Sequence, residues 1–298
     1  MKKFFLKTML FFAIIVISDI SFGHFMSYAV NSIEVGGQGR DNYICNEAKE
    51  DVLVFGSSRA VHHYNSALLE DSLGMSCYNC GEDGNGIFLN YARLLMAREH
   101  HLPKIIIEDV APGFDLEKND NHTYLGWLKA RYDRNGIKEI FNDIDENEQY
   151  KMLSQMYRYN SKFLQNIVVF FTSISSDTGI KGYRPIDEKF DSLKIRTIKD
   201  EWEKDSLKLK YLNKFIDISR GSKLFFVVSP MWYGMDTTKL SPLKTVCFER
   251  GIPLIDYSNN PKYVHNSKYF VDGTHLNSHG ADEFTKDLIL DLRKYDIH

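Results

Sequence analysis

The chain carries almost no excess of charge. Its 37 lysines and arginines nearly balance 40 aspartates and glutamates, so the formal net charge is −3 at pH 7. Proteins that bind nucleic acid usually present a strongly basic face. The composition therefore predicts no nucleic-acid partner.

A P-loop and internal repeats are also missing. The order Gly-Lys followed by Ser or Thr occurs nowhere in the chain, which excludes phosphate binding of that kind. No low-complexity tract is present. With 43% hydrophobic residues among 298, the chain has enough apolar surface for one substantial core, and its length allows one or two domains.

Cysteine is scarce, with only Cys45, Cys77, Cys80 and Cys247. Cys77 and Cys80 have the two-residue spacing of a metal or redox pair. A second such pair and a nearby histidine cluster are both missing, which disfavours zinc. Core or loosely paired thiols are the simplest interpretation, and we expect no metal site.

The N-terminus lacks an uninterrupted apolar run of membrane-spanning length. Three lysines within the first seven residues precede an apolar core over residues 9–17, which is shorter than the roughly 20 residues that a spanning helix needs. The stretch to residue 30 is long enough, but Asp19 and His24 interrupt it. A charge at the centre of a membrane costs about 2.5–3.5 kcal/mol on insertion scales.

Three interpretations of residues 1–30 stay open. The first, which the pattern favours, is an uncleaved signal anchor that holds the chain in the inner (plasma) membrane by a single pass. The second is a signal peptide cleaved after the small-x-small sequence "SFG" at residues 21–23, giving a secreted or periplasmic protein. The third is a soluble apolar helix. The first two place the rest of the chain outside the cytoplasm.

The remainder of the chain alternates strand and helix patterns. Short apolar runs at residues 52–56, 104–110, 223–230 and 252–257 are typical of strands buried on both faces. Helical patterns lie between these runs, so the sequence predicts an α/β fold, a three-layer α/β/α sandwich with a mainly parallel sheet. Residues 31–51 read as a polar linker. Residues 52–298 form the predicted α/β domain, with a mostly helical insertion at about 115–200.

The first strand pattern ends in Gly56-Ser57-Ser58-Arg59. In a parallel sheet, ligands lie beyond the carboxyl ends of the strands, so a serine at this turn is placed to meet a substrate. A helix N-terminus there would stabilise a developing oxyanion. Serine is also a favoured helix cap, which is the structural alternative.

A second motif, "DGTH", lies just before the last helix pattern. Asp272 and His275 are three residues apart, so the carboxylate can accept the Nδ1–H of the imidazole and leave Nε2 free to take a proton from a serine. The alternative is that the two residues only decorate a loop.

Together these motifs resemble the SGNH, or GDSL, superfamily of esterases and acyltransferases. The resemblance covers residues 52–294 apart from the insertion. It implies that Ser58 is the nucleophile, with Ser57 as the less favoured alternative, and that Asp272 and His275 complete a catalytic triad. Within "YNCGEDGNG" at residues 78–86, the N–H of Gly84, or of the nearby Gly81, would join that of Ser58 in the oxyanion hole.

One block departs from the family pattern. The family has Gly-x-Asn-Asp after its third strand, whereas this chain has "IIIEDVAPGFD" without an asparagine. Losing one oxyanion donor can cost about 10²–10³ in rate. Asn85 or a backbone N–H could substitute, and the departure weakens the expectation of vigorous hydrolysis more than that of the fold.

Three other residues are substrate-binding candidates. Arg59 could meet an anionic substrate or pair with a local carboxylate. Trp232 and Tyr233 follow a strand in "SPMWYG" and could form an aromatic platform for a sugar ring, or simply pack.

The resemblance is closest to the membrane-anchored branch that modifies cell-surface polysaccharides, in which Gly-Ser-Ser often stands in place of Gly-Asp-Ser. It implies O-acyl ester hydrolysis or acyl transfer, with acetyl as the expected group, on a cell-surface or exported glycan. A small ester is a further substrate class, and no metal or organic cofactor is required. The rival hypothesis is a catalytically weak SGNH-fold protein that binds glycan or assembles with a membrane acyltransferase.

Overall fold

A computed structural model describes residues 1–175, 179–192 and 202–297. The described residues group into two compact units. The N-terminal unit comprises residues 1–43 and 125–175, and the sheet unit comprises residues 44–124, 179–192 and 202–297.

The sheet has five strands, and all of its neighbouring pairs are parallel. The strands are β1 (Val52–Gly56), β2 (Cys77–Asn79), β3 (Ile105–Asp109), β4 (Lys223–Val228) and β5 (Leu254–Asp256). Their order across the sheet is β2-β1-β3-β4-β5, the flavodoxin-like order of doubly wound folds.

The helices are α1 (Lys2–Asn31), α2 (Gly36–Asn46), α3 (Ser58–His63), α4 (Ser66–Leu73), α5 (Ile87–Ala97), α6 (Pro112–Asp115), α7 (Ile137–Ile144), α8 (Glu148–Lys151), α9 (Gln155–Arg158), α10 (Phe163–Thr172), α11 (Ser206–Ile218), α12 (Ser241–Arg250) and α13 (Ser278–Arg293). Short 3₁₀ turns cover Asn121–Leu125, Lys129–Arg131 and Thr237–Leu240.

Helices cover both faces of the sheet. Val52 and Val54 belong to a buried cluster with Leu69 of α4 and Leu288 of α13. Phe55 points the other way and meets Phe215 of α11 edge to face, with ring centroids 5.7 Å apart. Because successive strand residues face opposite sides, one strand serves two cores. The predicted three-layer α/β fold is confirmed.

Strand order reverses beside β1, since the chain pairs β2 with one edge of β1 and β3 with the other. This topological switch point, outside the carboxyl ends of the strands, is where open α/β sheets bind ligands. Ser57 and Ser58 follow β1 directly and therefore lie at the switch point.

Two segments differ from the sequence-based expectations. The apolar runs in the sequence do not mark strand β2, because its three residues are not part of such a run. Residues 31–51, predicted as a linker, contain the helix α2. Its polar side chains are held by partners distant in sequence: Asp41 pairs with Arg131 at 3.2 Å, and Asn42 donates to the carbonyls of Val30 and Ile33 at 2.8 Å each.

Candidate active site

The turn after β1 depends on Gly56. Its φ is +143°, and a Cβ on it would come within 2.8 Å of both Ala60 Cβ and the Asp109 carbonyl oxygen. Glycine therefore lets α3 begin close against the sheet.

The two serines after Gly56 have different environments. Ser57 is fully buried and caps α3, its side chain accepting from the N–H of Arg59 at 3.4 Å. Ser58 is half-buried and is the first residue of α3. Its N–H therefore falls outside the helical hydrogen-bond pattern. The structural role of a cap falls to Ser57 and leaves the Ser58 hydroxyl available.

Ser58 belongs to a chain of three hydrogen-bonded side chains. Its Oγ lies 2.8 Å from Nε2 of His275, and Nδ1 of His275 lies 2.9 Å from Oδ2 of Asp272. With Nδ1 protonated and donating to the carboxylate, Nε2 can accept the serine proton. The structure thus brings together the three residues that the sequence pattern selected.

The Asp272 carboxylate is fixed within its own loop. Its Oδ1 accepts from the N–H groups of Thr274 at 2.7 Å and His275 at 2.8 Å. Burial acts to raise the pKa of Asp272, but the hydrogen bond and charge of His275 and the two N–H donors outweigh it and hold the pKa well below its usual range. The group therefore stays ionised, as the orienting acid of a triad must.

His63, which the sequence analysis did not select, is buried beneath His275. The N–H of Leu276 donates to its Nε2 at 3.0 Å, so Nδ1 carries the proton and donates to Ser229 Oγ at 3.1 Å. His63 thus joins the helix that begins with Ser58 to the loop that carries His275. In the sequence it resembles an ordinary surface histidine of a short helix, and no local signal marks it.

We predict that His63 makes stability depend on pH. Burial, with electrostatic repulsion from His275, Arg59 and His62, holds the pKa of His63 well below its ordinary value. The unfolded chain protonates this histidine below about pH 6.5 and the folded chain does not, so stability falls as pH drops. Relative to His63→Gln, the wild type should lose about 1.4 kcal/mol of unfolding free energy between pH 7.5 and 5.5. Urea unfolding at both pH values measures the difference, and parallel curves for the two proteins would contradict the prediction.

The two glycines of the loop after β2 that the sequence analysis selected as oxyanion donors differ in whether their N–H is engaged. Gly81 donates its N–H to Oδ1 of Asn79 at 3.0 Å, which removes it as an oxyanion donor. Gly84 has a φ of +66° and open space where a Cβ would lie, and its N–H has no acceptor among the described residues. Asn85 is mostly buried, and its side-chain nitrogen donates to the Asp83 carbonyl at 2.9 Å.

Arg59 lies beneath the site. It is 4% exposed, donates to the carbonyls of Val110 at 2.6 Å and Ser229 at 3.4 Å, and pairs with Asp109 at 3.4 Å. The pairing with Asp109 is the second of the two roles expected for Arg59, an ion pair with a local carboxylate. The Arg59 guanidinium also links the ends of β3 and β4 through the two carbonyls. These interactions do not favour contact with a substrate.

Buried carboxyl groups occupy the region where the family pattern has its asparagine. Burial raises the pKa of Asp115 to about 7, and burial together with the charge of Asp115 raises the pKa of Glu108 well above its usual range. Oδ2 of Asp115 accepts from the N–H of Ala111 at 2.6 Å. This N–H is therefore engaged in holding the turn after β3.

The two aromatic candidates have different roles. Trp232 is half-buried, stacks on Phe190 with centroids 4.3 Å apart, and donates its backbone N–H to Gly273 at 3.2 Å. It therefore supports the loop of Asp272 and His275. Tyr233 is exposed and meets His265 edge to face, so it is the candidate open to a ligand.

Comparison with known proteins finds only remote similarity. No protein-family model and no curated protein sequence matches the chain. A solved structure from Bacteroides fragilis, described as a candidate acylhydrolase, is 12% identical, with 88% of this chain and 97% of that one covered at a TM-score of 0.41. The acetyl xylan esterase Est2A of the rumen bacterium Butyrivibrio proteoclasticus is 10% identical, with 84% and 64% covered at a TM-score of 0.39. Neither similarity carries an argument about the family or activity of this chain.

Proposed function

We propose that this protein is a serine-dependent O-acyl ester hydrolase or O-acyltransferase. One observation carries the proposal: Ser58, His275 and Asp272 form a continuous hydrogen-bonded chain at the switch point of a parallel sheet. A nucleophile, a base and an acid that orients the base are the parts that acyl transfer through a serine requires.

In the first half-reaction, His275 Nε2 takes the Ser58 proton while Oγ attacks the ester carbonyl carbon. The N–H groups of Ser58 and Gly84 donate to the oxyanion that forms. When the C–O bond to the alcohol breaks, His275 returns its proton to the leaving oxygen and an acyl-Ser58 remains. Asp272 stabilises the imidazolium throughout by accepting from Nδ1.

In the second half-reaction, His275 deprotonates water or a sugar hydroxyl, which attacks the acyl-serine. The acyl group leaves on the new oxygen, and Ser58 recovers its proton from His275. The same residues serve hydrolysis and transfer, and exclusion of water decides between them. We place the substrate among acylated glycans of the cell surface or an exported polymer, with acetyl as the acyl group and Tyr233 as the exposed aromatic contact.

A second candidate function is glycan binding, or assembly with a membrane acyltransferase, by a catalytically weak protein. The replacement of the expected asparagine by the segment after β3 favours it, because one oxyanion donor is then missing. The hydrogen-bonded chain of Ser58, His275 and Asp272 favours the enzymatic function.

Labelling with a fluorophosphonate probe tests the proposal. The full chain in detergent should form a covalent adduct, and peptide mass spectrometry should locate it on Ser58, because only a serine deprotonated by a neighbouring base reacts readily. Hydrolysis of p-nitrophenyl acetate should accompany the labelling. A folded protein that neither labels nor hydrolyses the ester would overturn the enzymatic function in favour of the binding role.

A further inference from the structure

The N-terminal unit contains a helix with two different surfaces. Helix α1 is long and apolar enough to cross a membrane, and the side chains of its first half are exposed. In its second half, Gly23, Met26, Ala29 and Val30 are buried. The first half of α1 is therefore an exposed apolar segment, its second half packs within the unit, and the helix is continuous between the two.

Gly23 of α1 lies directly against Gln155 of α9. A Cβ on it would come within 2.4 Å of Gln155 Cγ, so the position requires the smallest residue. Phe22 and Phe25 beside it pack against Phe163 and Phe170 of α10, with centroids 5.7 and 6.1 Å apart. The small residues of "SFG", which the sequence analysis considered as a cleavage site, thus include a packing position, and cleavage there would remove one wall of the unit.

Asp19, the charge that interrupts the apolar segment, has its partners in the same unit. Its carboxylate accepts from the N–H groups of Gln155 at 2.8 Å and Met156 at 2.9 Å, and from Ser154 Oγ at 3.0 Å. These are the unpaired donors at the start of α9. The cost of a charge within a membrane segment falls when hydrogen bonds of this kind satisfy it.

Helix α10 carries apolar residues on two neighbouring faces, about 100° apart around its axis. Phe163, Ile167 and Phe170 face α1, and Phe163 and Ile167 pack against the cluster of Met26, Val30 and Tyr159. The other face carries Leu164, Val168 and Phe171, spaced four and three residues apart and 74%, 56% and 70% exposed. An exposed apolar stripe of this kind marks a surface that contacts lipid or another protein.

Helix α7 of the same unit shows the ordinary pattern. It buries Ile137, Ile140 and Phe141 and turns Lys138 outward. The apolar outer face of α10 is therefore not a general property of this unit's surface.

A membrane span of ordinary length in α1 would end beside α10. Twenty residues counted from Phe4 end at Gly23, and roughly 20 helical residues span the roughly 30 Å of a hydrocarbon core. The contacts of Phe22 and Phe25 place α10 beside this end of the span. The hydroxyls of Thr8 and Thr172 donate to carbonyls of their own helices, which suits an environment without water.

The N-terminal unit also carries residue types that are common at a membrane interface. Tyr28 and Tyr150 are both exposed, and Lys162 lies 3.5 Å from the centre of the Trp127 ring. Tyr, Trp and Lys are the residues that populate the boundary between lipid and water.

We propose that α1 is retained as an uncleaved membrane helix and that the outer face of α10, formed by Leu164, Val168 and Phe171, lies against the lipid beside it. The N-terminal unit is then built around the membrane helix, with α10 seated in the outer part of the bilayer. This inference does not depend on the chemistry proposed for Ser58.

The test uses the full chain reconstituted in phosphatidylethanolamine–phosphatidylglycerol vesicles. An environment-sensitive NBD dye is attached to Phe171→Cys, and separately to Lys138→Cys on α7 as the matched control in the same unit. The native cysteines are buried, and the unsubstituted protein measures their background labelling. The dye at 171 should emit at shorter wavelength and lose fluorescence to nitroxide-labelled lipid, while the dye at 138 should do neither.

Two results would overturn the lipid-facing surface. One is water-like emission at position 171. The other is a blue shift that lipid quenchers do not affect and that accompanies cross-linking of two chains through position 171, which would assign the face to a second copy. Retention of α1 is read separately from the intact mass of the protein extracted from membranes, and a mass lacking residues 1–23 would overturn it.

Discussion

Replacing Ser58 by alanine should lower kcat/KM for p-nitrophenyl acetate by roughly 10⁴-fold or more. The hydroxyl is the only atom group removed, and it is the proposed nucleophile, which lies 2.8 Å from His275 Nε2. The oxyanion donors remain, so slow hydrolysis above the uncatalysed rate should persist. Initial rates measured on protein with an unchanged circular dichroism spectrum check the prediction.

Ser57→Ala is the matched control for Ser58→Ala. It removes the neighbouring hydroxyl, which caps α3 through the N–H of Arg59, so we expect a loss of about 0.5–2 kcal/mol in unfolding free energy. Its activity should stay within the same order of magnitude as the wild type. If Ser57→Ala were the inactive variant and Ser58→Ala the active one, the nucleophile would have to be reassigned.

Replacing Asp272 by asparagine should lower kcat/KM by roughly 10³–10⁴-fold. The amide oxygen can still accept from the N–H groups of Thr274 and His275, which now bond to Oδ1. The amide nitrogen then faces Nδ1 of His275 and donates to it, so the imidazole proton moves to Nε2. An imidazole protonated on Nε2 cannot accept the proton of Ser58.

The control is Asp83→Asn, which alters a carboxylate beside another histidine of the same region. Asp83 lies 3.1 Å from His62 Nε2, forms an ion pair with Arg184 at 2.7 Å, and has a side chain that is 46% exposed. Because an exposed ion pair contributes about 0–1 kcal/mol, the change in rate should be less than about fivefold. Equal losses in Asp83→Asn and Asp272→Asn would show that general electrostatics, rather than the tautomer of His275, sets the rate.

Local sequence predicts the parts of this molecule whose partners are close in the chain or whose apolar runs are long. Strands β1, β3, β4 and β5 each carry such a run, and the three-residue spacing of Asp272 and His275 is enough to predict their hydrogen bond. The α/β class followed from these features, and the catalytic roles of Ser58, Asp272 and His275 remain proposals.

The rest depends on partners that local composition does not reveal. The sequence of helix α2 resembles a linker because it is polar. The hydrogen-bond partner of one of its polar side chains is Arg131, which lies 90 residues away in the chain. His63 looks like a surface histidine until Ser229 and Leu276 close around it. Strand β2 consists only of Cys77–Asn79. Its pairing with the edge of β1, rather than the pattern of its own side chains, makes this segment a strand.

The two halves of the proposed triad lie at opposite ends of the sheet unit's chain. Asp272 and His275 are three residues apart, so their pairing needs only one loop, whereas 217 residues separate Ser58 from His275. Contacts across so large a sequence distance pay their loop-closure entropy before they stabilise anything, and they tend to form late in folding. A partly folded chain in which this contact has not formed can therefore pair His275 with Asp272 while Ser58 is still distant from both. The nucleophilic reactivity proposed for Ser58 would then appear only once the two ends of the sheet unit have met, so fluorophosphonate labelling would report a late step of folding.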